Sequence, residues 1–414
     1  MIRIESRETR HPVIEHKECT GCGVCACACP EGNIVLEPDR EGFFYPTINT
    51  TQCSGCGECE RVCPVMVQAR LLSTEEVPKE SIPKVFAAWH VDTKIRKVSS
   101  SGGVFTALAT HVIDNLRGGV VGAALGNCLT VRHTLIERVE ELPRLRGAKY
   151  VQSFVDPDVL SKLIDFVRAG RPILFSGTPC QVAGVKRLIQ EQLEHLFLVD
   201  LVCHGVPSPR LFKKHLELLS KKGRVPTEVF FRDKKDGWKQ YRVKVKYSDG
   251  SHKSWRFWQD PYMLAFLRNY SLRPACYRCK FANLLRPGDI TLGDFWGVGK
   301  KYPHYDNEDL GTSLVLVNTK RGQSLLEACK EQLYVGEADM QWALKGNPSL
   351  VRPVDEPGER QTFYVDLDRM PLWRLYQKYN LSPPSRLTKA FRAVGRIKEK
   401  VVQTFQDLPS WGRR

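Results

Sequence analysis

No apolar run in the chain approaches the ~20 residues that cross a bilayer, and the opening MIRIESRETRHPVIEH lacks the apolar core of a secretory signal. Both absences predict a cytoplasmic protein that neither spans a membrane nor is exported. There is no Walker loop and no G-x-G-x-x-G fingerprint, so the familiar nucleotide cradles are missing. A nucleic-acid-binding motif is absent too. Only the excess of 62 Lys and Arg over 46 Asp and Glu, a net charge of +16, points that way, and the reading is that nucleic acid is not a partner. With 42% hydrophobic and 26% charged residues the chain is neither disordered nor fibrous, and its 414 residues suffice for two or three domains.

What is abundant is cysteine. There are 15, and nine lie between Cys19 and Cys63. Without an export signal, such density points to metal rather than to disulfides. CTGCGVCACACP (Cys19, Cys22, Cys25, Cys29) and CSGCGECERVCP (Cys53, Cys56, Cys59, Cys63) both read C-x2-C-x2-C-x3-C-P. Three closely spaced thiolates wrap one corner of a cubane each, and the fourth, before proline, reaches the other cluster. One [4Fe-4S] cluster is therefore assigned to Cys19, Cys22, Cys25 and Cys63, and a second to Cys53, Cys56, Cys59 and Cys29. Zinc sites use paired C-x2-C motifs rather than a run of three followed by Cys-Pro. The segment resembles a bacterial two-cluster ferredoxin, and Cys27 is left over as a small packed side chain.

Residues 71–84, polar and twice interrupted by proline, read as a linker. Beyond them the pattern is α/β, or α+β overall: a small ferredoxin-like module followed by a larger α/β body. Apolar strands are expected near 85–90, 118–125, 171–177 and 195–202. Between the last two lies a helix with Thr178 as N-cap and Pro179 in its first turn, making a parallel strand–helix–strand unit. Cys180 and Cys203 follow two of those strands, where α/β folds build sites. With Cys276 and Cys279 of RPACYRCKFAN they make four thiols, the number a third [4Fe-4S] cluster needs. Zinc held with His204, a redox dithiol and a nucleophilic Cys180 remain open alternatives. Cys128 and Cys329 read as buried structural residues.

The turn of KVSSSGGVFTAL offers Ser99, Ser100, Ser101, Gly102 and Gly103 to a phosphate, although taken alone it is better explained as an ordinary N-capped helix. Lys149 and Tyr150, together with Arg232, Lys234 and Trp238, are candidates to serve an anionic cofactor. The aromatic turn Asp294, Phe295 and Trp296 suits either an electron path or core packing.

Six segments, SSSGGVFTAL, GAKYVQS, FSGTPCQVAGVKRL, DLVCHGVPSP, RPACYRCKFAN and GDITLGDFWG, resemble the coenzyme F420 hydrogenase/dehydrogenase beta-subunit family. The resemblance covers about residues 85–370 and divides the chain into a dicluster module (1–70), the linker, the body (85–370) and a basic helical tail (371–414). It implies FAD beside a [4Fe-4S] cluster on Cys180, Cys203, Cys276 and Cys279. The flavin would be lined by Ser100, Ser101, Gly102, Gly103, Lys149 and Tyr150, and Lys149 would act catalytically by stabilising the reduced, anionic flavin. Electrons would pass between an external donor, the three clusters, FAD and a two-electron substrate such as coenzyme F420. The implied partner is a ferredoxin or a hydrogenase or dehydrogenase subunit. The alternative is an electron-transfer subunit with no substrate chemistry of its own. Residues 385–405 have a basic amphipathic pattern, expected to pack on the body or to contact an anionic membrane peripherally.

Overall fold

The computed structural model describes residues 15–66 and 83–381, except 191–192, 222 and 307, together with the backbone of 9–10. The linker at 71–84, apart from its last two residues, and the amphipathic pattern at 385–405 lie outside the described residues. The N-terminal module contains a small antiparallel sheet of β1 (Thr9–Arg10), β2 (Ile34–Pro38) and β3 (Phe44–Asn49), ordered β1-β3-β2. Two short helices, Val24–Ala28 and Glu58–Arg61, follow the two cysteine loops. Each begins at a glycine, Gly23 (φ 82°) and Gly57 (φ 74°), in the left-handed region that a side chain would resist.

The body is built on β4 (Lys84–His90), β5 (Gly119–Leu125), β6 (Val131–Ile136), β7 (Ile173–Gly177) and β8 (Leu196–Leu201), then β9 (Pro226–Asp233), β10 (Arg242–Tyr247) and β11 (His252–Arg256), then β12 (Ile290–Asp294), β13 (Ser313–Val317) and β14 (Leu333–Glu337). Eight of these form one sheet, ordered β14-β4-β13-β12-β8-β7-β5-β6. Strands β12, β8, β7 and β5 pair in parallel, and β4 shares their direction because both it and β12 run antiparallel to β13. The fold is mixed α/β. The ILFSG of β7 is buried at every residue, as a central parallel strand between two packed faces requires. The RVKVKY of β10 instead alternates buried and half-buried residues in a separate antiparallel sheet, β11-β10-β9. That second sheet was absent from the sequence reading.

The expected strand–helix–strand unit is present: β7, the helix Pro179–Ile189, then β8 in parallel register. Val182 and Val185 are fully buried on its inner face. Two expectations need correction. Cys128 is exposed, in a turn with φ 55°, whereas Cys329 is buried with its thiol directed at the Ala107 carbonyl. The body also continues past residue 370, since Leu375, Tyr376 and Leu381 of the expected tail are buried in the core. That core cluster also takes in Phe43 and Tyr45 of the N-terminal module, so module and body share apolar packing.

Candidate functional site: three thiol pockets and a ring of buried cations

The cysteines gather in three sets. Cys19, Cys22, Cys25 and Cys63 line one pocket, Cys29, Cys53, Cys56 and Cys59 a second, and Cys180, Cys203, Cys276 and Cys279 a third. No three His, Cys, Asp or Glu side chains among the described residues converge tightly enough for a single ion. The donor chemistry of the three sets favours a bound metal centre. Burial pushes the Cys276 and Cys279 thiols up to about 12 and about 11, with neighbouring thiolates adding to the rise. Burial is also the first cause for Cys22 and Cys203, which are raised well above the ordinary value. Four such thiolates coexist only when a metal centre supplies the compensating charge.

Local folding makes each set. Cys180 sits in the first turn of its helix, beside the Thr178 hydroxyl at 3.2 Å. Gln181 Oε1 accepts from both the Thr178 N–H and its hydroxyl, each at 3.0 Å, which holds the turn. Burial raises the Cys180 thiol despite the helix N-terminus, the opposite direction to the lowered pKa that activates a nucleophilic thiol. His204 Nε2 is 2.8 Å from Asn269 Oδ1, which fixes the ring. Cys27 lies outside all three sets.

The pockets are contiguous. Cys53 and Cys56 are exposed, whereas Cys19, Cys22 and Cys63 are buried. Cys25, Cys29 and Cys59 pack on one apolar cluster across the first two pockets. Thr20 lines both the Cys19 pocket and the Cys180 pocket, and Cys63 packs with Cys180 and Cys279.

The strand ends bring the remaining candidates to the same edge of the sheet. Cys180, Cys203 and Asp294 follow or end β7, β8 and β12, and the Ser/Gly turn is tied to β4 by the bond from His90 N–H to the Gly102 carbonyl. The serines of that turn are engaged by backbone. Ser99 donates to the Ile95 carbonyl, Ser101 donates to the Thr312 carbonyl, and Ser100 Oγ accepts from Ala148 N–H. A Cβ on Gly102 would overlap the Ala88 carbonyl, so glycine there is a packing requirement. Gly103 starts the following helix at φ 93°, and no serine side chain caps it. Lys149 Nζ donates to the carbonyls of Arg144, Leu145 and Arg146 at 2.8–3.1 Å, leaving no N–H for a cofactor. The Tyr150 hydroxyl accepts from Arg232 at 3.3 Å, and its ring stacks on Phe266.

What surrounds this turn is positive. Arg96 is buried, donates Nε to the Gly311 carbonyl at 2.8 Å, and has an unpartnered Nη2. Lys234 Nζ donates to the carbonyls of Arg96, Ser101 and Leu310. Burial and the neighbouring Arg232 push that lysine down to about 7. Burial alone pushes Lys149 to about 7. Arg146 Nε donates to the Thr106 hydroxyl at 3.2 Å, and among the described residues Arg146 forms no ion pair. The carboxylate of Asp294 is taken by Arg232, at 2.7 and 3.2 Å, and by Trp238 Nε1 at 2.7 Å. Trp238 stacks on Trp296 at 4.6 Å, and Phe295 is buried, so the aromatic turn is both a wall and a piece of core. The orphaned Arg96 nitrogen, and Arg146 without an ion pair among the described residues, fit an anionic group such as the phosphates of FAD. Arg96, Arg146 and the Arg232–Asp294–Trp238 group were not legible as a set, because they come from four separate segments.

Comparison with known proteins follows the same divisions. A model of the 4Fe-4S dicluster domain matches residues 18–67. Models of the coenzyme F420 hydrogenase/dehydrogenase beta subunit match 85–156 (its N-terminal part) and 170–341 (its C-terminal part). No curated protein matches. Among solved structures, a chain of the F420-reducing [NiFe] hydrogenase complex from Methanosarcina barkeri is similar, at 18% identity and a TM-score of 0.45, over 67% of this chain and 93% of that one. No helix among the described residues is long and apolar enough to cross a membrane. The chain thus belongs to the coenzyme F420 hydrogenase/dehydrogenase beta-subunit family, and it is an iron–sulfur oxidoreductase-type subunit with a 4Fe-4S dicluster domain at its N-terminal end.

Proposed function

We propose that this subunit carries three [4Fe-4S] clusters in a row and FAD at the inner end, and that it passes electrons between a partner protein and a two-electron substrate of the coenzyme F420 class. The observation that carries the reading is the contiguity of three four-thiol pockets, from exposed Cys53 and Cys56 through buried Cys19, Cys22 and Cys63 to half-buried Cys180 and Cys203. The exposed end is where a partner's redox centre would approach. Bound at the inner end, FAD supplies the exchange between single electrons and hydride. The residues proposed to hold its phosphates are Arg96, with its unpartnered Nη2, and Arg146, neither of which forms an ion pair among the described residues, while Lys234 spends its N–H groups on three carbonyls and braces the turn. Ser100, Ser101, Gly102 and Gly103 shape the turn between them. Lys149 and Tyr150 act from behind, Lys149 by holding the chain before Ala148 in place and Tyr150 by positioning Arg232. Asp294 holds both Arg232 and Trp238, and Trp238 stacks on Trp296 with Arg232 5.3 Å from the same ring, a wall that excludes water from that side.

Iron, sulfide and acid-released flavin per chain, measured on anaerobically purified protein, test this. Three cubanes require 3 × 4, or about twelve, irons with about one FAD. Cys180→Ser is expected to lose about four irons and leave the dicluster module loaded. About eight irons without flavin in the unaltered protein would reduce the subunit to a ferredoxin-like carrier.

A further inference from the structure

Arg273 lies between the Cys19 pocket and the Cys180 pocket, and it is fully buried. Its Nε donates to the Cys19 carbonyl at 2.7 Å and Nη1 to the Phe44 carbonyl at 3.1 Å, while Nη2 is 3.7 Å from Cys19 Sγ. The guanidinium lies 3.8 Å over the ring of Tyr45. From the other side, its backbone N–H is bonded to Val206, and its carbonyl accepts from Cys276 N–H, both at 2.9 Å. One residue therefore touches the first cysteine of one pocket with its side chain and a cysteine of the other with its backbone.

The partners of this cation are all uncharged groups or thiols. Arg286, which lines the Cys180 pocket, is paired with Asp200 at 2.5 Å, Arg232 with Asp294 at 2.7 Å, and Arg360 with Glu41 at 2.5 Å. Arg273 forms no ion pair among the described residues. The loop makes room for it: a Cβ on Gly21 would lie 2.6 Å from Nη1, and Gly21 holds a φ of 68°. An isolated buried cation is costly unless an anion faces it. Thiolate-ligated clusters are such anions, and reduction makes them more negative.

We infer that Arg273 is a positioning residue for electron transfer, a shared cation that holds up the reduction potentials of the clusters on both sides of it. The inference rests on the three-cluster reading. With a positive charge fixed beside both pockets, the reduced state of each is favoured over its oxidised state, and an electron crossing between them stays beside the same charge. Proximity to Cys19 makes the effect largest there, and it is smallest for the distal Cys29–Cys59 pocket.

The test is a redox titration of the full chain, followed by electron paramagnetic resonance, with iron content measured alongside. Arg273→Gln keeps a donor for the Cys19 carbonyl and removes the charge. At unchanged iron, the one-electron reduction constant of the Cys19-pocket cluster should fall about tenfold, a shift of about 59 mV, with a smaller fall at the Cys180 pocket. Arg273→Lys keeps the charge and should stay within about twofold of the parent. A fully loaded Arg273→Gln protein with unshifted potentials would overturn the inference. If the Gln variant does not load, Arg273→Lys decides: a fully loaded protein whose constant falls tenfold shows that the fork, and not its charge, matters. An unaltered protein with only about eight irons overturns the three-cluster reading instead, and the Cys19-pocket shift remains measurable.

Discussion

Lys149 shows how burial changes what a residue can offer. Its ammonium is enclosed and held by three carbonyls, and burial lowers it from an ordinary 10.5 to about 7. In the unfolded chain it titrates near the ordinary value. Between the two values the unfolded chain binds the extra proton, so stability rises with pH. Below about 7 both states are protonated and the full burial penalty applies. Flavin-free protein should therefore show a melting temperature that climbs between pH 7 and 9. Lys149→Met should flatten part of that climb, while Lys234, lowered to about 7 as well, maintains the rest. An unchanged slope in the variant would show that Lys149 is not the buried cation responsible. Lys149 was legible as a charged residue near the expected flavin, but its partners were not. Three carbonyls from the turn just before it take its hydrogen bonds, and only the folded path of 142–149 brings them there.

The helix Pro179–Ile189 carries one thiol into the third pocket, and its first turn is held by Gln181. Gln181 also donates Nε2 to Ser153, at 3.0 Å to the hydroxyl, tying the helix start to the segment after Tyr150. Gln181→Leu would leave the half-buried Thr178 N–H and the Ser153 groups without that partner. A loss of about 1–3 kcal/mol in denaturant unfolding is expected, with lowered iron retention. A variant as stable as the parent would mean that water or a shifted side chain replaces the amide. The strand–helix–strand unit around this helix was readable because Pro179 and the apolar spacing of Val182 and Val185 are local signals. The separate sheet of β9, β10 and β11 was not read, although RVKVKY alternates plainly.

Module and body are joined by more than chain continuity. Glu41 of the module and Arg360 of the body form a buried bidentate pair at 3.0 and 2.5 Å, and Arg360 also donates to the Leu272 carbonyl at 2.7 Å. Removing one partner strands a buried charge. Arg360→Ala should cost about 3–5 kcal/mol and split thermal unfolding into two transitions as the module loosens from the body. One unchanged, cooperative transition would argue against the pair as the joint. The same joint holds the Cys19 pocket against the Cys180 pocket, so this variant should also slow reduction of the inner site by an external donor.

The two C-x2-C-x2-C-x3-C-P runs declare the dicluster module from sequence alone, because a cubane's ligands are set by short loop geometry that a fixed spacing encodes. The strand ends near Cys180 and Cys203 and the C-x2-C at Cys276 were legible for the same reason. Cys180, Cys203, Cys276 and Cys279 could be counted as four thiols in the sequence, but tertiary structure alone decided that they line one pocket, that Thr20 and Arg273 stand between two of the pockets, and that Arg96, Arg146 and Lys234 gather around the Ser/Gly turn. Those facts depend on long-range packing and on which buried charges find partners, and no local pattern of residues encodes either.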